Sequence, residues 1–170
     1  PKEKDAFQVG VTAMALAGRL HLDGSSFARY YLEVLERYTI RHRFYERQDV
    51  TLFDESLAGP ARETAMAEGN RSKDRTVRFF RSLAERLGRG ELNPGACTRI
   101  LQERGPAGFV FPPVQDAYWA GDGTLFEFDG LWWQLRASGT DAVLRYYAEG
   151  KLREEVRWLN DALMRLDVSE

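Results

Sequence analysis

The stretch LFEFDGLWWQL, residues 125–135, constrains the chain more tightly than any other. Asp129-Gly130 separates two runs rich in aromatic and branched side chains, and Asp-Gly suits a two-residue turn whose central residues need positive φ. The stretch therefore predicts an antiparallel hairpin. Trp132 and Trp133 are neighbours on its second strand, so their side chains must leave opposite faces of a sheet. One enters a core. The other is covered by another element or stands exposed beside Phe126, Phe128, Tyr118 and Trp119 as an aromatic spot for a partner.

Most of the remaining chain reads as helix. From Asp5 to Leu22, Phe7, Val11, Met14, Ala15 and Leu20 recur at helical spacing, interrupted by Gly10. After a turn at His21–Ser26 a second helix is expected from Phe27 to Arg47, with Phe27, Tyr31, Val34, Tyr38 and Tyr45 as an aromatic stripe. Pro60 opens a short helix that Gly69-Asn70 closes, and Ser72 caps another from Lys73 to Leu87. Asn93-Pro94 starts a helix reaching Arg104. Glycines and prolines then punctuate residues 105–113, with Phe109-Val110-Phe111 as a short strand. Thr140 or Asp141 caps a helix through Ala148. Leu152, Val156, Leu159, Leu163 and Leu166 form one seam on a final helix, suited to a core or to a partner helix. The expected class is α+β: a predominantly helical single domain over 1–170, helical in 1–105, with a small antiparallel sheet in 106–136 and two C-terminal helices in 137–170.

A chain of 170 residues can bury a real core, and 44% hydrophobic with 29% charged residues excludes the disordered class. Cys97 is the only cysteine, so no disulfide closes within the chain and no cysteine-rich zinc site forms. That suits a reducing cytoplasm. The apolar run Val11–Leu20 is too short for a bilayer, so no membrane contact is expected. His21 and His42 are not spaced with carboxylates for a metal, and no cofactor or metal is predicted. Gly121-Asp122-Gly123 falls between strands rather than before a helix, which argues against a phosphate cradle there. Cys97 falls on an apolar helix face and reads as core.

The net charge is -2, but it is segregated: residues 71–105 carry 9 basic and 4 acidic side chains, and residues 106–170 carry 6 and 11. At ~100° per residue, Arg75, Arg78, Arg86 and Arg89 fall within roughly an 80° sector opposite Val77, Phe80, Leu83 and Leu87. Thr98, Arg99 and Gln102 face outward on the next helix, and such residues reach phosphates and base edges. Helix, turn, polar helix and hairpin together outline a winged helix, although its wing is aromatic and acidic rather than basic.

Arg37 and His42 in ERYTIRHRFYER fit the R-x4-H spacing of a helical ribonuclease family and in that respect resemble the HEPN nucleases. The resemblance implies phosphate stabilisation by the arginine and acid–base work by the histidine. Tyr38 departs from the small polar residue that family prefers after its arginine. On one helix the pair would also diverge by about 140°.

The leading expectation is a non-enzymatic cytosolic adaptor or regulatory subunit with a protein partner. Its surfaces are the arginine stripe and an aromatic patch of Trp119, Phe126, Trp132 and Trp133. A winged-helix nucleic-acid module and a HEPN-like ribonuclease are the alternatives, and the C-terminal helix is the place for self-association.

Overall fold

The computed structural model describes residues 6–169, in the order α1 (Ala6–Leu22), α2 (Phe27–Arg37), β1 (Phe44–Thr51), α3 (Gly59–Gly88), α4 (Pro94–Arg104), β2 (Val114–Ala120), β3 (Gly123–Phe128), β4 (Leu131–Ala137), β5 (Val143–Gly150) and α5 (Arg153–Met164). The class is α+β, with five helices and one five-stranded antiparallel sheet among the described residues. Asp5, the expected start of the first helix, lies outside them. None of the described helices is long and apolar enough to cross a membrane.

The chain divides into two compact units, residues 1–41 and 42–170. In the first, the Ser26 hydroxyl caps α2 by accepting from the Arg29 amide at 3.3 Å. α2 stops at Arg37, ten residues short of the expected end. Thr39 adopts φ 54°, and the Ile40 amide donates back to the Leu35 carbonyl at 2.8 Å, a left-handed helix stop. The aromatic stripe read across 27–45 is therefore split, because Tyr45 belongs to a strand. Among the described residues of this unit Leu20 and Leu35 are buried, while Phe7, Val9, Met14, Leu22, Tyr31 and Tyr38 are exposed.

In the second unit the strand order is β1-β5-β4-β3-β2. The Asp129-Gly130 hairpin forms, with Phe128 opposite Leu131, but of its two central residues only Gly130 takes positive φ, at 71°, whereas both were expected to. The sheet is larger than expected, however. Residues 143–150, read as helix, are β5, because Leu144, Tyr146 and Ala148 are buried while Val143, Arg145, Tyr147 and Glu149 alternate with them. A period of two, paired to β1 on one side and β4 on the other, outweighs the capping signal at Thr140-Asp141. Phe109–Phe111 is irregular rather than a strand. Both rings are buried and meet at 4.5 Å.

One face of the sheet carries the core. Phe126, Trp133, Leu135, Leu144, Tyr146 and Ala148 point into it, with Phe80 from α3 and Val156, Leu159 and Leu163 from α5. Trp133 touches the Phe80 ring at 4.8 Å and donates its indole N–H to Asn160 Oδ1 at 3.1 Å, so α3 and α5 lie on the same face. The apolar seam of α5 is thus buried within this chain, apart from Leu152, which precedes the helix and is exposed.

α3 is one helix of 30 residues and does not end at Gly69-Asn70. Its missing Cβ explains Gly69: a side chain there would meet the Leu52 carbonyl oxygen at 2.7 Å and Ala142 Cβ at 3.0 Å. Ser72, expected as a cap, sits inside the helix, and its carbonyl accepts from the Thr76 hydroxyl. Gly69→Val should cost about 2 kcal/mol through overpacking against backbone, seen as a fall in Tm of roughly 4–8 °C. Gly88→Ala, with nothing within 4 Å of the added methyl, should be neutral or stabilising by less than about 1 kcal/mol in the same thermal melts.

Candidate functional site

The residues singled out from sequence separate once folded. Arg75, Arg78, Arg89 and Arg99 are exposed and Arg86 is half-buried. Arg89 pairs with Glu91 at 3.0 Å. Thr98 and Gln102 are not free to read a ligand. The Thr98 hydroxyl donates to the Pro94 carbonyl and accepts from the Val114 amide, both at 2.9 Å. Gln102 clamps the segment after α4, donating to the Phe109 carbonyl and accepting from the Phe111 amide at 3.0 Å.

The expected wing is not free either. β3 and β4 lie in the interior of the sheet, flanked by β2 and β5, so no winged helix forms. The aromatic patch divides by face. Phe126 and Trp133 are core residues, whereas Trp132 lies half-buried on the opposite face between Glu127 and Glu149. Trp119 is exposed near the sheet edge, with the Arg81 guanidinium 4.8 Å from its ring. Arg37 ends α2 and His42 lies beyond it, so no single helix carries the pair.

The sheet face opposite the core gathers the chemistry that sequence reasoning missed. Arg136 on β4 stands directly opposite Arg145 on β5, a like-charge pair that normally destabilises a sheet. Carboxylates flank it: Arg136 donates to Asp122, and Arg145 lies 3.6 Å from Asp49, which Arg47 also grips at 2.6 Å. The hydrogen bond from Arg47 holds the Asp49 carboxyl below its usual range, and the bond to Asp122 keeps the Arg136 guanidinium charged. The guanidiniums of Arg47 and Arg136 each lie 5.7 Å from the Tyr147 ring. Even so, the Nε atoms of Arg136 and Arg145 are buried without a hydrogen-bond partner.

Between these arginines the chain makes the β4–β5 loop, Ser138-Gly139-Thr140-Asp141-Ala142. Its closing bonds are Ser138 N to Val143 O at 2.9 Å and Val143 N to Asp141 O at 2.8 Å. The Ser138 hydroxyl accepts from the Asp141 amide at 3.4 Å, and the Leu52 amide donates to the Ala142 carbonyl at 2.9 Å. From α3, Lys73 Nζ donates to the Ser138 carbonyl at 3.0 Å and to the Asp141 carbonyl at 2.7 Å. Gly139 and Thr140 are exposed, and among the described residues their amides donate to no protein acceptor. The Thr140 hydroxyl donates to Asp141 Oδ2 at 2.7 Å. Two open amides, the Ser138 hydroxyl and two flanking guanidiniums are the kinds of group that suit an anion. Its signal in the sequence was Arg136-Ala-Ser-Gly-Thr-Asp141 between two apolar-alternating runs. The same Ser, Thr and Asp also resemble a helix cap, and that reading prevailed.

Residues 99–166 match the sequence model of the phosphoglucomutase/phosphomannomutase C-terminal domain. The match covers less than half of the chain and runs from α4 through α5, with the β4–β5 loop inside it. No curated protein matches the chain. The family match overturns the expectation of a non-enzymatic adaptor or binding protein, because it relates this segment to a family of enzymes. The adaptor reading rested on surface composition, which does not separate a partner's docking face from the solvent face of an enzyme domain.

Cys97 is fully buried in α4, and burial pushes its thiol up to about 11. Its thiolate fraction at pH 8 is then smaller than that of a free cysteine by about 100-fold. A disulfide reagent should therefore modify the native protein at least about 100-fold more slowly than the urea-unfolded chain. Equal rates would show that the thiol is open to solvent.

Proposed function

We propose that residues 42–170 form a phosphohexomutase-related domain that binds a hexose phosphate by its phosphate group. The phosphate is held at Ser138, Gly139 and Thr140, with Arg136 and Arg145 supplying charge. The observation that carries this reading is the loop itself, with two open amides and flanked by two opposed arginines, Arg136 with a buried Nε that has no partner and Arg145 with an Nε held only by the 3.6 Å ion pair to Asp49. The loop also falls within the segment matched to the phosphoglucomutase/phosphomannomutase C-terminal domain.

The chemistry supports the assignment at each atom. A phosphate dianion accepts from hydroxyls, amides and guanidiniums at once, and planar arginine forks suit its oxygens. Bound phosphate also offsets the like-charge repulsion between Arg136 and Arg145, which Asp49 and Asp122 screen only from the flanks. The domain's part in phosphoryl transfer is then positioning. It holds a nonreacting phosphate so that the sugar is oriented toward the reacting centre, an effect that lowers the barrier through pre-paid orientation.

In calorimetric or NMR titrations, glucose 1-phosphate and glucose 6-phosphate should bind and glucose should not. Arg136→Ala and Ser138→Ala should each weaken binding, the arginine by about 10- to 100-fold, the size of a lost charge-assisted hydrogen bond. Glucose binding as well as its phosphates, or no binding at all by the folded protein, would overturn the reading.

A further inference from the structure

We propose that Lys73 is the positioning residue of the phosphate loop, orienting the Gly139 amide and providing a buried positive charge for the bound dianion. This rests on the reading that the β4–β5 loop holds a hexose phosphate. Lys73 lies on α3, remote in sequence from the loop and outside the segment matched to the family. It is only 8% exposed, an uncommon position for an ammonium group. Among the described residues it has no carboxylate partner. Its hydrogen bonds go to two carbonyls of one loop, Ser138 O at 3.0 Å and Asp141 O at 2.7 Å.

Two physical consequences follow. The peptide bonds are trans, so the C=O and N–H of each unit point in opposite directions. The Ser138 carbonyl is drawn toward Lys73 on α3, which turns the N–H of the same peptide unit, that of Gly139, away from the helix. Gly139 is exposed, and among the described residues its amide donates to no protein acceptor. Lys73 thus aims this donor at open space while tying Asp141 at the loop's far end.

The second consequence is electrostatic. A buried cation satisfied only by carbonyl dipoles lacks a counter-charge, and burial makes that absence costly. A phosphate bound across the loop supplies the missing negative charge. Gly69 permits the approach: it sits one turn before Lys73 on the same face of α3, and its missing side chain lets the helix close on Leu52 and Ala142.

The test is Lys73→Met in the full chain, which keeps the apolar stem and removes the ammonium. Glucose 6-phosphate affinity should fall by about tenfold or more, and the Gly139 amide resonance should shift. Glucose 6-sulfate, a monoanion of similar shape, should lose less affinity than the phosphate dianion; a general loosening of the loop would weaken both equally. A folded Lys73→Met protein with wild-type affinity and an unmoved Gly139 amide overturns the proposal, as does equal loss for sulfate and phosphate. Should Lys73→Met not fold, Lys73→Gln, whose side-chain amide keeps two N–H donors but no charge, is read by the phosphate-against-sulfate criterion alone. Failure of the wild type to bind glucose 6-phosphate overturns the hexose phosphate reading instead, and with it the counter-charge role of Lys73. The Gly139 amide's response to the substitution then decides the orienting role alone.

Discussion

Trp133 organises the second unit. Its ring lies against Phe80 at 4.8 Å, Tyr146 at 5.9 Å and Phe126 at 6.0 Å, and no part of it reaches solvent. A buried indole N–H needs an acceptor, and Asn160 provides it at 3.1 Å. One side chain therefore joins β4 to α3 through its ring and to α5 through its nitrogen. Two helices separated by most of the sheet in sequence are thereby held on the same face. Because strand side chains alternate, this also commits Trp132, Gln134 and Arg136 to the other face.

That commitment brings the two arginines together. Arg136 cannot enter the core while Trp133 occupies it, so it meets Arg145 across the strand pair on the open face. α3 links core and loop mechanically. Phe80 packs on Trp133, and Lys73, about 10 Å back along the same helix, reaches the carbonyls of the β4–β5 loop. A continuous helix is stiff over that distance, so packing at Phe80 and Gly69 sets where the Lys73 ammonium arrives.

Much of the architecture was legible where a local signal had no competitor. Asp129-Gly130 marked its hairpin, Ser26 and Asn93 marked two helix starts, and adjacency alone put Trp132 and Trp133 on opposite faces without saying which was core. Signals that competed were misread. Gly69-Asn70 resembles a helix end, yet the glycine is required by backbone packing within one long helix. Residues 44–47 were expected as the end of the helix begun at Phe27, yet they pair with β5 as part of strand β1. Thr140-Asp141 resembles a cap, yet it belongs to a loop closed by Val143 and Lys73. Thr98 and Gln102 have the right chemistry for reading a ligand, but that chemistry is engaged in holding the segment before β2.

By itself the sequence determined the α+β class, the central hairpin, the termini of several helices and the burial of Cys97, because each depends on residues close together in the chain. Tertiary structure decided the rest. It paired β5 with β1 and β4, set Arg136 opposite Arg145 and brought Lys73 beneath Ser138 and Asp141, contacts that span up to 106 positions, from Phe44 to Gly150. Such contacts carry no local periodicity. They arise from which face each strand must bury and from how closely a glycine lets a helix approach.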